Sequence, residues 1–159
     1  MLEIGSRRSS RRAWWADLRA QFGEGKQWIG IDMQPGIGVD YVANATDLAY
    51  EPNTFETVIC CEMLEHAVNP RAVLAEAARV LTSPGWILIT TPFCFPVHAF
   101  PDDYWRFTES GLRVMLEHAG FCDIETKEIA PFEMVLDDHG AEPVTVTAHL
   151  HVAAIGCHW

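Results

Sequence analysis

The chain has 159 residues, 49% of them hydrophobic and 21% charged, which suits a globular protein able to bury a core within one domain. A formal net charge of −11 repels polyanions and argues against nucleic acid as a partner, and no apolar run is long enough to span a bilayer. The cysteines, at 60, 61, 94, 122 and 157, are odd in number and form no CxxC pair, so the pattern fits a reducing cytoplasm better than a disulfide framework or a zinc site.

In chain order, Leu2-Glu3-Ile4 reads as a short strand that runs into a loop at Gly5-Ser6. Arg7, Arg8, Arg11 and Arg12 then form a basic patch, either a phosphate site or the solvated start of a helix. Ser9 or Ser10 can cap that helix, Trp14, Trp15, Leu18 and Phe22 recur at helical spacing, and Gly23 ends it. Residues 28–32 are an apolar second strand closing on an acid, Asp32. Pro35, Gly36 and Gly38 make a loop, Tyr41-Val42-Ala43 is a weak third strand, and Thr57-Val58-Ile59-Cys60 is a fourth. Asn69-Pro70 pairs a capping side chain with a proline at the first helical position, and Val73, Leu74, Ala77 and Leu81 form the buried stripe up to a stop at Ser83-Pro84-Gly85.

The continuous apolar run 86–91 reads as a central strand, and residues 92–107 are irregular and rich in aromatics. Thr108 can cap a helix with Leu112, Met115, Leu116 and Ala119 on one face and Gly120 just past its end. Residues 121–129 form a strand. From Val144 the chain alternates Val144, Val146, Ala148, Leu150 and Val152 against Thr145, Thr147, His149 and His151, a period of two. Strands alternating with amphipathic helices predict an α/β fold in three layers, α/β/α, around a parallel sheet. No domain boundary appears, so residues 1–159 read as one domain.

Parallel sheets bind ligands in the crevice beyond the carboxyl ends of their strands. An acid there, Asp32, suits a ribose, because a carboxylate accepts hydrogen bonds from both hydroxyls. The simpler alternative is a strand-end acid on a solvent loop.

Leu2-Glu3-Ile4-Gly5, Ile31-Asp32-Met33, Cys61-Glu62-Met63-Leu64-Glu65-His66 with Pro70, and Arg79-Val80-Leu81 before Pro84-Gly85 together resemble a class I S-adenosylmethionine-dependent methyltransferase. The resemblance runs from Leu2 to about Ile129 and is most specific from Glu62 to Gly85. It implies a Rossmann-like sheet of seven strands, the last antiparallel, with S-adenosylmethionine as cofactor. Glu3, Gly5 and Ser6 would meet the methionine end, Asp32 the ribose, and Met33 the adenine. Asn44 stands where family members carry an acid for the adenine amino group, with Ala45 beside it. Cys61, Glu62 and His66 would line the pocket near the sulfonium. Further glycines after Gly5 are replaced by Ser6-Arg7-Arg8-Ser9-Ser10. Met1 directly precedes the first strand, so the expectation is a domain without the usual N-terminal cover, its site open or completed by another chain, as in a homodimer.

Methyl transfer from a sulfonium mainly requires alignment of nucleophile, carbon and sulfur, with a base only for a protonated acceptor. The loop from Thr91 to Thr108 is the substrate candidate, with Phe93, Tyr104, Trp105 and Arg106 contacting a small-molecule acceptor. His98 is the candidate base and Asp103 a weaker one, against a loop histidine that merely bonds backbone. Tyr104 and Arg106 orient the acceptor or, alternatively, a Trp-Arg stack pins the loop. His149 and His151 lack neighbouring ligands, so no metal is expected. The expected function is methylation of a small molecule at oxygen or nitrogen. The alternative, motivated by the missing glycines and cover, is a catalytically silent S-adenosylmethionine- or S-adenosylhomocysteine-binding protein acting as sensor or assembly subunit. A nicotinamide oxidoreductase would need G-x-G-x-x-G after the first strand, which is not present.

Overall fold

The computed structural model describes residues 1–8, 17–98, 102–136 and 144–159. Ser9, Ser10, Trp14, Trp15 and Phe100 lie outside these residues. The elements are β1 (Leu2–Ile4), α1 (Leu18–Phe22), β2 (Ile29–Asp32), β3 (Tyr41–Val42), β4 (Phe55–Cys61), a single turn of tighter helix (Leu64–His66), α2 (Pro70–Val80), β5 (Leu81–Pro92), α3 (Glu109–His118), β6 (Cys122–Leu136) and β7 (Val144–His158). The strands make one seven-stranded sheet in the order β3-β2-β1-β4-β5-β7-β6, and only β7 runs against its neighbours. No helix among the described residues is long and apolar enough to cross a membrane.

The chain winds outward from β1 to β2 and β3, then returns to place β4 on the other side of β1. That reversal opens a crevice at the carboxyl ends of β1 and β4. The register fixes what faces it. Ile4 pairs with both Ile31 and Cys60, and Cys60 pairs with Ile89, so Gly5, Asp32, Cys61 and Thr90 reach the same edge.

Local chemistry sets the helices. Asn69 caps α2 by accepting from the Ala72 N–H at 3.2 Å, and Pro70 follows at the first helical position. Thr108 caps α3 through the Gly111 N–H at 3.0 Å. Val73, Leu74, Ala77 and Ala78 of α2 and Leu112 and Leu116 of α3 join Leu2, Ile4, Ile31, Val58, Ile87 and Ile89 of the sheet in one buried cluster.

The structure departs from the sequence expectation at four points. Leu81 is buried, but as the first residue of β5: α2 ends at Val80 and the strand starts at once, with Ser83-Pro84-Gly85 in a bulge opposite β4. In β5, Ile87 and Ile89 are buried while Trp86 and Leu88 are exposed, so the run packs on one face rather than both. Phe22 is exposed, and α1 buries none of its residues. Finally, β6 and β7 outrun the sheet. Beyond the Pro92–His151 pair they continue as a two-stranded ribbon to the Leu136–Val144 pair, past the carboxyl end of β5.

Candidate active site

The crevice is built first by the loop after β1. The Gly5 and Ser6 N–H groups both donate to the Ile31 carbonyl, at 2.9 and 3.0 Å, which folds the chain over the end of β2. Gly5 sits at φ +80°, and a Cβ there would fall 2.6 Å from Met63 Cγ and 2.7 Å from Met63 Cβ. Only glycine meets both demands. The loops after β1 and β4 are therefore in direct contact.

Asp32, at the end of β2, accepts from the Gln34 N–H at 2.9 Å through one carboxylate oxygen and from the Arg7 N–H at 3.3 Å through the other. Each oxygen keeps a lone pair, so the carboxylate is oriented and still able to receive a diol. Met33 beside it is 72% exposed, an open apolar surface for a flat ring. Asn44 is partly committed. Its carbonyl oxygen accepts from the Thr46 N–H and hydroxyl at 3.0 and 2.9 Å, leaving its amide NH₂ to meet a ring nitrogen. Ala45 packs against the core nearby.

Ser6 is buried and its hydroxyl has no partner among the described residues. Glu3 accepts from the Trp28 indole N–H at 2.9 Å, and burial pushes its carboxyl up from the ordinary value. Glu3 and Ser6 line a cavity of about 260 Å³ with Arg8, Asp17, Arg19 and Asp40, where Arg8 pairs with Asp17 and Arg19 with Asp40. A buried hydroxyl at the end of one strand and a diol-ready carboxylate at the end of the next fit the methionine and ribose parts of S-adenosylmethionine.

The segment after β4 forms the other wall. Burial pushes the Cys61 thiol up, so it is a neutral packing group rather than a thiolate. Glu62 holds a left-handed backbone, φ +49°, donates its N–H to the Thr90 carbonyl at 2.9 Å, and places its carboxylate 3.1 Å from His151 Nδ1. The turn at Leu64–His66 then buries Glu65 completely, and neither of its carboxylate oxygens meets a donor from another described residue. Desolvation raises this carboxyl to about 7. Sequence reading did not single out Glu65. Its apolar neighbours Met63 and Leu64 were the available signal, but a turn this short has no period to show which side faces inward.

The aromatic loop is strapped onto that turn. The Tyr104 and Trp105 N–H groups donate to the Glu65 carbonyl at 2.8 and 3.3 Å, and the Trp105 indole donates to the Ala67 carbonyl at 2.8 Å. Arg106 grips the Asp103 carboxylate with both terminal nitrogens, at 2.5 and 2.7 Å, and donates to the Pro96 carbonyl at 3.2 Å. The Asp103 side chain is fully buried, and the guanidinium holds its carboxyl well below the usual range. Arg106 thus pairs with Asp103 rather than stacking on Trp105. Asp103 also accepts the His98 N–H at 2.8 Å and lies 3.1 Å from His98 Nδ1. His66 Nδ1 bonds the Asp102 carbonyl. The Nε2 atoms of His66 and His98 lie 3.7 and 3.9 Å from Glu65 Oε1, and their rings meet edge to face at 5.0 Å. Beside this cluster is a groove of about 530 Å³ lined by Phe93, Phe95, Val97, Tyr104, Trp105 and Arg106. His149 and His151 pair instead with Glu128, at 2.6 Å, and with Glu62.

The profile of a family described as a methyltransferase domain matches residues 2–89, more than half of the chain. The chain is 41% identical over 61 residues to the ubiquinone biosynthesis O-methyltransferase of Burkholderia cenocepacia and 42% identical over 62 residues to that of Paraburkholderia xenovorans. Each match spans 37% of this chain and 26% of the relative, so the likeness covers about a quarter of those proteins. The fold is similar to a SAM-dependent methyltransferase from Archaeoglobus fulgidus, with a TM-score of 0.72, 16% identity and coverage of 98% of this chain and 84% of that one. It is also similar to phosphoethanolamine N-methyltransferase 2 of Haemonchus contortus, solved with phosphomonomethylethanolamine and S-adenosylhomocysteine. There the TM-score is 0.62 at 20% identity, covering 80% of this chain and 34% of that one.

Proposed function

This chain belongs to the methyltransferase domain family, with S-adenosylmethionine as its cofactor, and from that premise we propose that it transfers the cofactor's methyl group to a hydroxyl of a small aromatic or sugar-like acceptor. The observation that carries the proposal is the oriented Asp32 carboxylate at the end of β2, facing the loop after β1 at the point where strand order reverses. When bound, S-adenosylmethionine would supply a methyl on a sulfonium, the acceptor oxygen bonding to that carbon in line with the C–S bond, whose electron pair would leave with sulfur.

The chain's own residues supply position and polarity. Asp32 holds the ribose, Met33 and Ala45 flank the adenine, and the Asn44 amide meets a ring nitrogen. Glu3, Gly5 and Ser6 shape the methionine end, and Cys61 and Glu62 close the wall toward the sulfur. Phe93, Tyr104, Trp105 and Arg106 frame the groove for a flat acceptor. His98 is the proton acceptor in this reading, with Asp103 as its orienting partner; a carboxylate held this acidic by Arg106 is a poor base. Oxygen is preferred over nitrogen because the matching curated relatives carry the name O-methyltransferase.

The test is turnover of S-adenosylmethionine against paired phenols and amines of the same skeleton, with the product ether or amine identified by NMR. Ether formation supports the proposal. Turnover confined to amines corrects the acceptor atom. S-adenosylhomocysteine binding without turnover of any acceptor returns the chain to the binding-protein alternative.

A further inference from the structure

We infer that Glu65, His66 and His98 form a divalent transition-metal site that holds the acceptor hydroxyl beside the aromatic groove. Their ligand atoms lie within 4.8 Å of one another, with Glu65 Oε1 3.7 Å from His66 Nε2 and 3.9 Å from His98 Nε2. Bonds of about 2.1 Å at tetrahedral angles bring ligand atoms to roughly 3.4 Å, so the two Glu65–histidine separations need to shorten by only a few tenths of an ångström, and the two imidazoles, whose nitrogens lie within 4.8 Å, close the rest by side-chain rotation.

Three features separate this from a chance cluster. First, Glu65 is completely buried and neither oxygen meets a donor from another described residue. A buried carboxylate without donors is expensive, and a cation is the partner that offsets it. Second, both imidazoles are held from behind. His66 Nδ1 faces the Asp102 carbonyl and His98 Nδ1 faces the Asp103 carboxylate. An oxygen on Nδ1 keeps the proton there and leaves the Nε2 lone pair for a metal, which is the usual outer support of a histidine ligand. Third, Asp103 is itself fixed by Arg106, so the support is rigid.

Two imidazoles and one carboxylate suit Zn²⁺, Mn²⁺, Fe²⁺ or Co²⁺ better than Mg²⁺ or Ca²⁺, and three protein ligands leave at least one position open. The neighbouring surface is the groove beside Phe95, whose ring lies 5.4 Å from that of His98. A hydroxyl filling the open position would lose its proton to solvent more readily, and its oxygen lone pair would then form the new C–O bond as the C–S bond pair leaves with sulfur. This part rests on the methyl-transfer reading. In it His98 Nε2 acts as a ligand, and the cation does what a free His98 base would otherwise do.

The experiment titrates chelator-stripped protein with Co²⁺, reading its visible absorption, and with Zn²⁺ by calorimetry. S-adenosylhomocysteine binding is measured on the same preparation. The expected result is one equivalent bound at micromolar Kd or tighter, weakened about 100-fold or more in Glu65→Gln, His66→Ala and His98→Ala, and unchanged in His149→Ala. Circular dichroism identifies any variant that does not fold, and the isosteric Glu65→Gln is the decisive one. No stoichiometric binding, or binding that survives all three substitutions, overturns the metal site. Metal binding without S-adenosylhomocysteine binding leaves the site standing and sinks the methyl-transfer reading; the converse does the reverse.

Discussion

Gly5→Ala tests the contact that joins the two walls of the crevice. The substitution forces an L side chain into φ +80°, which costs about 1–2 kcal/mol. It also drives a methyl to 2.6 Å from Met63 Cγ and 2.7 Å from Met63 Cβ. Relief of that overpacking by shifting the turn costs a further 1–3 kcal/mol or so. The sum, about 2–5 kcal/mol, is a large fraction of the stability of a typical domain. Because Met63 Cβ is itself one of the clashing atoms, Met63→Ala removes only half of the problem, whereas Met63→Gly removes all of it. Urea unfolding of Gly5→Ala, Met63→Gly and the double variant gives the coupling directly. The double variant is expected to be more stable than the sum of the single losses by about 1–3 kcal/mol, the overpacking part alone. A Gly5→Ala protein within about 0.5 kcal/mol of wild type, or a double variant that is simply additive, would refute the packing of these two loops.

Arg106→Ala leaves the buried Asp103 carboxylate without its guanidinium and removes the donor to the Pro96 carbonyl. Since Arg106 is itself partly exposed, the loss is expected near the low end of the buried-pair range, about 3 kcal/mol in chemical denaturation, and Arg106→Lys recovers only part of it. Glu3 has a carboxyl raised by burial. A raised folded pKa means that the folded state holds the proton more tightly, so wild-type stability falls as pH rises from the unfolded value through the folded one. Glu3→Gln keeps an acceptor for the Trp28 indole and removes the charge, so relative to wild type it gains stability at pH 7 and not at pH 4. Paired denaturation curves at the two pH values check the sign.

The element order was legible because its signals are local. Asn69-Pro70 and Thr108 cap where their chemistry says they should, and residues 2–4 and 29–32 are too apolar to be anything but buried strand. What escaped depends on partners distant in sequence. Leu81 fits the helical stripe of α2 as well as it fits β5, and only pairing with Phe55 decides. The exposure of Trp86 and Leu88 depends on which helices cover which face, which periodicity in a uniformly apolar run does not record. In the site, Asp32 was readable from its place at a strand end. The pairing of Asp103 with Arg106 was visible as a three-residue spacing but was outweighed by the aromatic neighbour at 105. Glu65 escaped because its burial comes from the loop around Tyr104 and Trp105 folding back over it.

The central claim is that the crevice at β1 and β2 binds the cofactor through Asp32. The most direct measurement is calorimetric titration of the purified chain with S-adenosylhomocysteine, alongside Asp32→Ala. The account predicts one-to-one binding at micromolar Kd in wild type. It predicts affinity lower by roughly 30- to 150-fold in the variant, the loss of about 2–3 kcal/mol of charge-assisted hydrogen bonding to the ribose, with the variant still folded by circular dichroism although it loses the bonds from the Gln34 and Arg7 N–H groups. Equal affinity in the two proteins would contradict it.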